Sequence, residues 1–275
     1  MIENSGHGRW SQPRTKKRFG QHFLIDAGVI QQIINTIGAT PDQHIVEIGP
    51  GTGVLTRPLL ASGAQVTAIE LDRDLAARLR HELAAYANFR LFEADALNFD
   101  YPGLALDGAK LRIVGNLPYN ISTPLLFTFL ALGDRVADLC FMLQKEVAAR
   151  VSARPGCADY GRLSVMLQAH FEVLELFDVE PYAFNPPPKV QSRVLLLRPR
   201  ATELAAGNFG QLESLVALAF SQRRKMLRHT LGKQVPLELL SRQGISLEMR
   251  AENVKVGQFV ALANSLPLKT SELAS

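Results

Sequence analysis

The chain has 275 residues, of which 47% are hydrophobic and 20% are charged, with two cysteines and a formal net charge of +4. This length and apolar fraction fit one large domain plus a small one, and no hydrophobic run approaches the roughly 20 residues of a membrane span. The polar, basic N-terminus argues against a secretory signal, and Cys140 and Cys157 lack the spacing of a zinc site, so we expect a cytoplasmic protein without a bound metal.

Strand-like and helical segments alternate from the N-terminal part of the chain to about residue 200. Apolar runs predict strands at residues 45–48, 66–71, 89–92, 111–114 and 139–143. Helical patterns lie between them, notably at residues 55–61, 74–86 and 124–132. This alternation predicts an α/β fold with a doubly wound, mostly parallel sheet. Two further strand candidates, 171–179 and 190–197, flank a proline-rich segment and are expected to form an antiparallel edge hairpin.

The pattern becomes helical after Pro199. Short helices are predicted at residues 212–220, 226–231, 237–242 and 256–266, with glycine or proline between them. We therefore expect a large α/β domain over residues 16–204 and a small helical C-terminal domain over residues 205–275. Residues 1–15 are expected to be a flexible basic arm.

A glycine-rich turn and two acidic residues follow three successive predicted strands. Gly49, Gly51 and Gly53 come after the first core strand, where missing side chains let a ligand approach backbone N–H groups. Their spacing does not match the GxGxxG dinucleotide fingerprint. Glu70 can accept hydrogen bonds from both hydroxyls of a ribose, and Asp95 can accept one from an adenine amino group. This spacing resembles that of S-adenosylmethionine-dependent methyltransferases, which have a Rossmann-like fold.

The tetrapeptide from Asn116 to Tyr119 follows the fourth predicted strand. The lone pair of an adenine amino nitrogen is delocalised into the ring, so two hydrogen-bond acceptors on that nitrogen would favour its attack on a sulfonium methyl. The Asn116 side-chain oxygen and the Leu117 carbonyl can supply them, and Pro118 fixes the backbone turn. Tyr119 can stack on a base swung out of its helix. Positioning of the base against the methyl donor then supplies most of the reduction in the reaction barrier, and no metal is required.

Two segments of the chain are basic, whereas the remaining residues together carry a net negative charge. One is the N-terminal stretch of residues 1–24, and the other lies between Glu213 and Glu238, a stretch without acidic residues. Such segments are typical of a surface that binds a polyanion. Solvated charged faces are the alternative for each of them.

Taken together, these motifs resemble the ribosomal RNA adenine N6,N6-dimethyltransferases of the KsgA/RsmA type. The resemblance runs from about residue 16 to 265 and is carried by residues 17–24, 47–53, 70–72, 116–122, 143–147, 160–165, 184–190 and 220–227. It implies methyl transfer from S-adenosylmethionine, with S-adenosylhomocysteine as product, to two adjacent adenosines near the 3′ end of 16S rRNA in the small ribosomal subunit or its precursor. A role in subunit biogenesis follows from that substrate, and we expect a monomer without a membrane partner.

The resemblance also assigns roles to individual residues. His22, Leu24, Gly49 and Gly51 would enclose the cofactor, Glu70 and Asp95 would hold its ribose and adenine, and Asn116 would serve both methyl donor and target. The family usually has Asn in place of His22, so the contact of this imidazole stays open.

The remaining assignments concern the RNA. Phe184, on the loop with three prolines, would sandwich the target adenine against Tyr119; a hydrophobic plug under that loop is the alternative. Phosphates would be held by Lys189, Arg223, Arg224, Lys225 and Arg228. For the arginine cluster, a helix-stabilising role is the alternative.

Two other functions stay open from the sequence. One is the macrolide-resistance class of large-subunit rRNA adenine N6-methyltransferases, which usually carries Ile at the position of Leu117 and lacks this form of the triple-proline loop. The other is a non-catalytic ribosome-assembly factor that keeps the fold. The macrolide-resistance class is disfavoured by Leu117 and by the triple-proline loop. The assembly factor is disfavoured by the intact Asn116, Tyr119, Glu70 and Asp95.

Overall fold

The computed structural model describes residues 21–104, 109–200 and 209–266. Its strands are β1 (Phe23–Leu24), β2 (His44–Ile48), β3 (Gln65–Glu70), β4 (Phe89–Glu93), β5 (Leu111–Asn116), β6 (Val136–Gln144), β7 (Phe171–Val179), β8 (Phe184–Asn185) and β9 (Ser192–Pro199). Seven of them form one sheet in the order β4-β3-β2-β5-β6-β9-β7. The first five are parallel, whereas β9 runs antiparallel to both β6 and β7. The mostly parallel sheet with an antiparallel edge hairpin is therefore confirmed.

Helices cover this sheet, which is why its central strands are apolar on both faces. They are α1 (Ala27–Ile37), α2 (Thr56–Ala61), α3 (Arg73–Glu82), α4 (Ser122–Leu130), α5 (Lys145–Ser152) and α6 (Arg162–His170). The sequence patterns did not predict α1, α5 or α6. Yet α1 carries clear end signals, because the Asp26 side chain accepts a hydrogen bond from the Val29 N–H at 2.9 Å and Gly38 ends the helix with a φ of 53°.

The short strands β1 and β8 form a second, two-stranded antiparallel sheet. Phe23 pairs with Asn185, and Leu24 pairs with Phe184. This pairing fixes the segment that precedes α1 against the proline-rich loop between β7 and β9. Two parts of the chain that are about 160 residues apart in sequence therefore meet beside the ends of the large sheet.

The C-terminal part is helical, with α7 (Phe209–Ala219), α8 (Leu237–Arg242) and α9 (Val256–Ser265). The helix predicted over residues 226–231 is wrong: two separate 3-10 turns, Leu227–His229 and Leu231–Lys233, occupy this region. The reason is that the N–H groups of Leu227 and Arg228 donate to the carbonyls of Met249 and Leu247, so a neighbouring segment satisfies them instead of a helix.

The C-terminal helices pack onto the large sheet domain through a shared apolar core. Leu212, Val216 and Phe259 belong to the same buried cluster as Phe129 and Tyr160. The Tyr160 hydroxyl also donates to the Val254 carbonyl at 2.8 Å. The expected domain boundary near residue 205 and the basic arm of residues 1–15 lie outside the described residues.

Within the described ranges, each helix is too short or too polar to cross a membrane.

Candidate active site

One cavity lies at the carboxyl ends of the parallel strands, where ligands of open α/β sheets bind. It brings together the ends of β2, β3 and β5, the segment after β4, and the segment around β1. The lining residues are Gln21, His22, Phe23, Leu24, Glu47, Ile48, Gly49, Pro50, Gly51, Thr52, Val54, Leu55, Ile69, Glu70, Leu71, Leu75, Ala94, Asp95, Ala96, Asn116, Leu117, Pro118, Tyr119 and Ile121. All predicted cofactor residues are thus around this single space, although they come from five separate segments.

The glycine turn forms the floor of this cavity. Gly49, Gly51 and Gly53 all have left-handed backbone angles, with φ of 62°, 59° and 78°. A Cβ on Gly51 would lie 3.2 Å from the Phe23 ring, and one on Gly53 would lie 2.6 Å from an Arg57 nitrogen. Only glycine satisfies both the angle and the space, so the turn can keep its backbone close to a ligand.

Arg57, which the sequence did not single out, holds the glycine turn from behind. Its Nη1 donates to the carbonyls of Thr52 at 2.7 Å and Gly53 at 3.0 Å. Its Nη2 pairs with Glu82, which also accepts from Arg78 in α3 at 2.6 Å. The Arg57 side chain therefore ties the turn to α2 and α3 through two of the turn's carbonyls.

Glu70 and Asp95 present carboxylates to the cavity. Glu70 accepts from the Gly51 N–H at 3.2 Å and the Asp72 N–H at 2.8 Å, one bond on each oxygen. Asp95 accepts from the Leu97 N–H and the Asn98 amide, each at 2.9 Å. A carboxylate has about four acceptor positions, so each group can accept further hydrogen bonds from a ligand. With the apolar side chains nearby, these groups fit the ribose and adenine of S-adenosylmethionine.

Glu47 is a second buried carboxyl beneath the turn, and it accepts from the Thr56 hydroxyl at 2.6 Å. Burial, helped by the negative charge of Glu70, raises its pKa to about 7. A raised folded-state pKa means that the free energy of unfolding falls as pH rises from about 4.5 to about 7.

We predict that Glu47→Gln removes this pH dependence. The amide keeps an acceptor for Thr56 but carries no charge, so the variant should gain stability relative to the parent by up to about 3 kcal/mol between pH 5 and pH 8. Urea unfolding at both pH values measures the difference. The exposed Glu172→Gln serves as control, and a stability difference that does not change with pH would contradict the prediction.

The target end of the cavity is built around Asn116. The backbone oxygen of His22 lies 3.1 Å from the Asn116 amide nitrogen. Because a carbonyl only accepts hydrogen bonds, the nitrogen faces His22 and the side-chain oxygen stays available to a ligand. Leu117 follows at the strand end, where its N–H donates to the Met142 carbonyl at 3.2 Å. This hydrogen bond therefore links the end of β5 to the residue that directly precedes β1.

Tyr119 and His22 lie face to face beside Asn116. Their rings are stacked with centroids 5.7 Å apart, and the Tyr119 hydroxyl forms a 2.8 Å hydrogen bond with the Ser192 hydroxyl. His22 Nδ1 lies 2.8 Å from the Pro186 carbonyl, so it carries the hydrogen and Nε2 is an acceptor in the neutral ring. The His22 imidazole therefore contacts the Pro186 carbonyl and the Tyr119 ring. Ser192 was missed because a buried serine at a strand start carries no sequence signal.

Phe184 does not lie in the cavity in this structure. Its side chain is 2% exposed and belongs to an apolar cluster with Leu24, Val179 and Ala183. This placement corresponds to the hydrophobic plug rather than to one half of an adenine sandwich. The physical reason is the pairing of β8 with β1, which turns Phe184 toward the core. Tyr119 and the His22 ring that is stacked with it do line the cavity at the target end.

The predicted phosphate ligands are in three environments. Lys189 is exposed on the proline-rich loop, and Arg224, Lys225 and Arg228 are exposed after α7. Arg223 is exposed as well, but its guanidinium also donates to the carbonyls of Ala158 and Tyr160 and lies 3.7 Å from Glu252. Its charge thus joins the C-terminal helices to the loop before α6.

Comparisons with known proteins show the family of this chain. The family model described as ribosomal RNA adenine dimethylase matches residues 12–267. The chain is 50% identical over 257 residues to the ribosomal RNA small subunit methyltransferase A of Bordetella bronchiseptica, covering 93% of this chain and 96% of that protein. It is 47% identical over 256 residues to that of Pseudomonas putida, covering 93% and 96%.

Two solved structures are similar along most of the chain. A dimethyladenosine transferase from Plasmodium falciparum has a TM-score of 0.75 at 28% identity, covering 88% of this chain and 96% of that one. The 23S rRNA methyltransferase ErmE has a TM-score of 0.69 at 30% identity, covering 88% and 98%. The fold, the cavity and the full-length family match agree, and the chain belongs to the ribosomal RNA adenine dimethylase family.

Proposed function

We propose that this protein transfers methyl groups from S-adenosylmethionine to N6 of two adjacent adenosines near the 3′ end of 16S rRNA, in the small ribosomal subunit or its precursor. The curated small-subunit enzymes are 47–50% identical to it, whereas the 23S rRNA enzyme is 30% identical, which favours the small subunit as substrate. We further propose that it acts as a monomer in the cytoplasm, during small-subunit assembly.

The observation that carries the chemistry is the orientation of Asn116. Its nitrogen is held by the His22 carbonyl, so its oxygen can accept from the N6 amino group of a target adenine. The Leu117 carbonyl is the second acceptor in this proposal, and the two together hold the nitrogen in a geometry closer to tetrahedral, so that its lone pair is less delocalised into the ring. Tyr119 supports the base from one face.

Bound S-adenosylmethionine supplies an electrophilic methyl group on a sulfonium and leaves as S-adenosylhomocysteine. Glu70 would accept from the ribose hydroxyls and Asp95 would accept from the cofactor adenine, while Gly49 and Gly51 would let the backbone approach the ligand. His22 and Leu24 close the cavity from the side of β1. In this arrangement the chain acts by binding, orientation and exclusion of water.

Mass spectrometry of the product tests this function. The purified protein is incubated with S-adenosylmethionine and either immature small subunits or large subunits from cells that lack the protein. We expect N6,N6-dimethyladenosine at two adjacent positions in 16S rRNA. Methylation of 23S rRNA alone would favour the macrolide-resistance class, and no methylation of either RNA would leave only an assembly factor.

The basic cluster predicts how the RNA is held. Replacing both Arg224 and Arg228 with Ala should weaken small-subunit binding and lower the slope of log affinity against log salt by about 1 to 2, since fewer counterions are released. Filter binding at several salt concentrations measures the slope. The control is Arg80→Ala with Arg242→Ala, which removes the same charge from residues already paired with Glu93 and Glu238. An equal slope in both double variants would exclude the cluster from the RNA surface.

A further inference from the structure

Three exposed apolar side chains lie around the proline-rich loop. The exposed fraction of the whole residue is 75% for Tyr182, 58% for Ile25 and 45% for Val190. The role proposed above uses none of them. We call these three residues the rim patch. An exposed tyrosine with aliphatic neighbours is a common surface for stacking an unpaired nucleobase.

Two hydrogen bonds place the three residues around the base of the loop. The Ile25 N–H donates to the Ala183 carbonyl at 2.8 Å, so the backbone of Ile25 lies against the residue that follows Tyr182. At the other end of the loop, the Gln191 side-chain amide donates to the Glu180 carboxylate. The loop therefore closes on itself at its base, and Tyr182 and Val190 each lie within two residues of that closure.

The same loop borders the target end of the cavity. Its Pro186 carbonyl contacts His22, and Ser192, just after it, contacts Tyr119. His22 and Tyr119 both line the cavity, whereas Tyr182 does not. The rim patch is therefore placed to contact a nucleotide next to the one that enters the cavity.

The charges around the rim patch suit RNA. Lys189 is exposed next to Val190. Of the nearby carboxylates, Asp178 pairs with Lys145 and Arg193, whereas Glu180 accepts from the neutral Gln191 side chain and Asp26 accepts from the backbone of α1. A phosphate at this edge would meet the exposed Lys189 ammonium, and ion pairs compensate the charge of one of the three carboxylates.

We propose that the rim patch, with Tyr182 at its centre, stacks on the unpaired base that neighbours the target adenosine. This inference rests on the proposed function, because the neighbouring base is defined by the methylated one. The patch binds RNA by stacking, whereas Lys189 contacts the adjoining phosphate. The rim patch thereby holds the RNA strand while Asn116 acts on the flipped base.

Single-turnover methylation of immature small subunits by the full-length protein tests whether the rim patch binds RNA. We expect Tyr182→Ala to raise the half-saturating subunit concentration about 5- to 100-fold, the range given by loss of one stacked base. Tyr182→Phe should stay within about twofold of the parent because the ring is kept. Affinity for S-adenosylmethionine should be the same in all three proteins, since Tyr182 does not line the cavity.

Abasic substitutions identify the base. In subunits reconstituted with an abasic nucleotide on either side of the target, one of the two should abolish the difference between Tyr182→Ala and the parent. If neither does while Tyr182→Ala still weakens binding, the patch contacts a ribosomal protein and the proposal is overturned. Equal half-saturation for Tyr182→Ala and the parent also overturns it. Failure of the parent itself to methylate would instead reject the proposed function.

Discussion

Replacing Asn116 with Ala is expected to reduce the rate of methyl transfer by at least about 100-fold, the usual effect of removing one catalytic hydrogen-bonding group. The substitution removes the acceptor for the target nitrogen. Small-subunit binding should change little, because affinity comes from phosphate contacts that are distributed over the exposed basic residues. Single-turnover assays that resolve mono- from dimethylated adenosine, combined with filter binding, measure the two quantities separately.

Asn35→Ala is the matched control for this variant. Asn35 lies on the exposed side of α1, where its side-chain oxygen accepts from Gln31 within the same helix. Its replacement should leave both the rate and the binding unchanged. A near-parental rate for Asn116→Ala would reject the proposed role of Asn116, and an equal loss of binding in that variant would show that Asn116 supports the site rather than the reaction.

Replacing Gly115 with Ala is expected to be the most disruptive change of a single methyl group in the sheet. A Cβ at this position would lie 2.5 Å from the backbone oxygen of Ile48, so strands β2 and β5 would have to separate. Overpacking of this kind costs about 1 to 3 kcal/mol, occasionally more. The two strands end at Ile48, directly before Gly49, and at Asn116, so the affinity for S-adenosylmethionine and the methylation rate should both fall.

Thermal unfolding and calorimetric titration of the cofactor measure these effects. Gly257→Ala is the matched control, since Gly257 lies in α9 and no heavy atom is within 4 Å of its added Cβ. Alanine there should keep or raise stability by up to about 1 kcal/mol, because it is the better helix former. If Gly115→Ala keeps the stability and the cofactor affinity of the parent protein, the prediction is contradicted. The two strands would then accommodate the methyl group without a shift of the site.

Much of the site could be predicted because it follows strand ends. The alternation of apolar runs and helical patterns specifies a parallel sheet, and the carboxyl ends of parallel strands meet at one edge. Gly49, Glu70 and Asn116 each come directly after, or at the end of, an apolar strand, so their common location follows from local order alone. Asp95, two residues beyond β4, follows the same rule. The residues that match the family motif also specify the family, which the full-length match confirms.

Contacts between distant segments could not be predicted in this way. The pairing of β1 with β8 has no local signal, since each strand has two residues, and it is this pairing that buries Phe184 and brings His22 to Tyr119. The helix expected at residues 226–231 failed for the same reason, because hydrogen bonds to the carbonyls of Met249 and Leu247 replaced those of a helix. Arg223 was placed by its charge, whereas the structure directs it to carbonyls of the loop before α6. The sequence alone thus determined the family, the mostly parallel sheet and the position of the motif residues at the ends of its strands. Tertiary structure decided which side chains face the cavity, because that depends on backbone groups and apolar surfaces far apart in the chain satisfying one another.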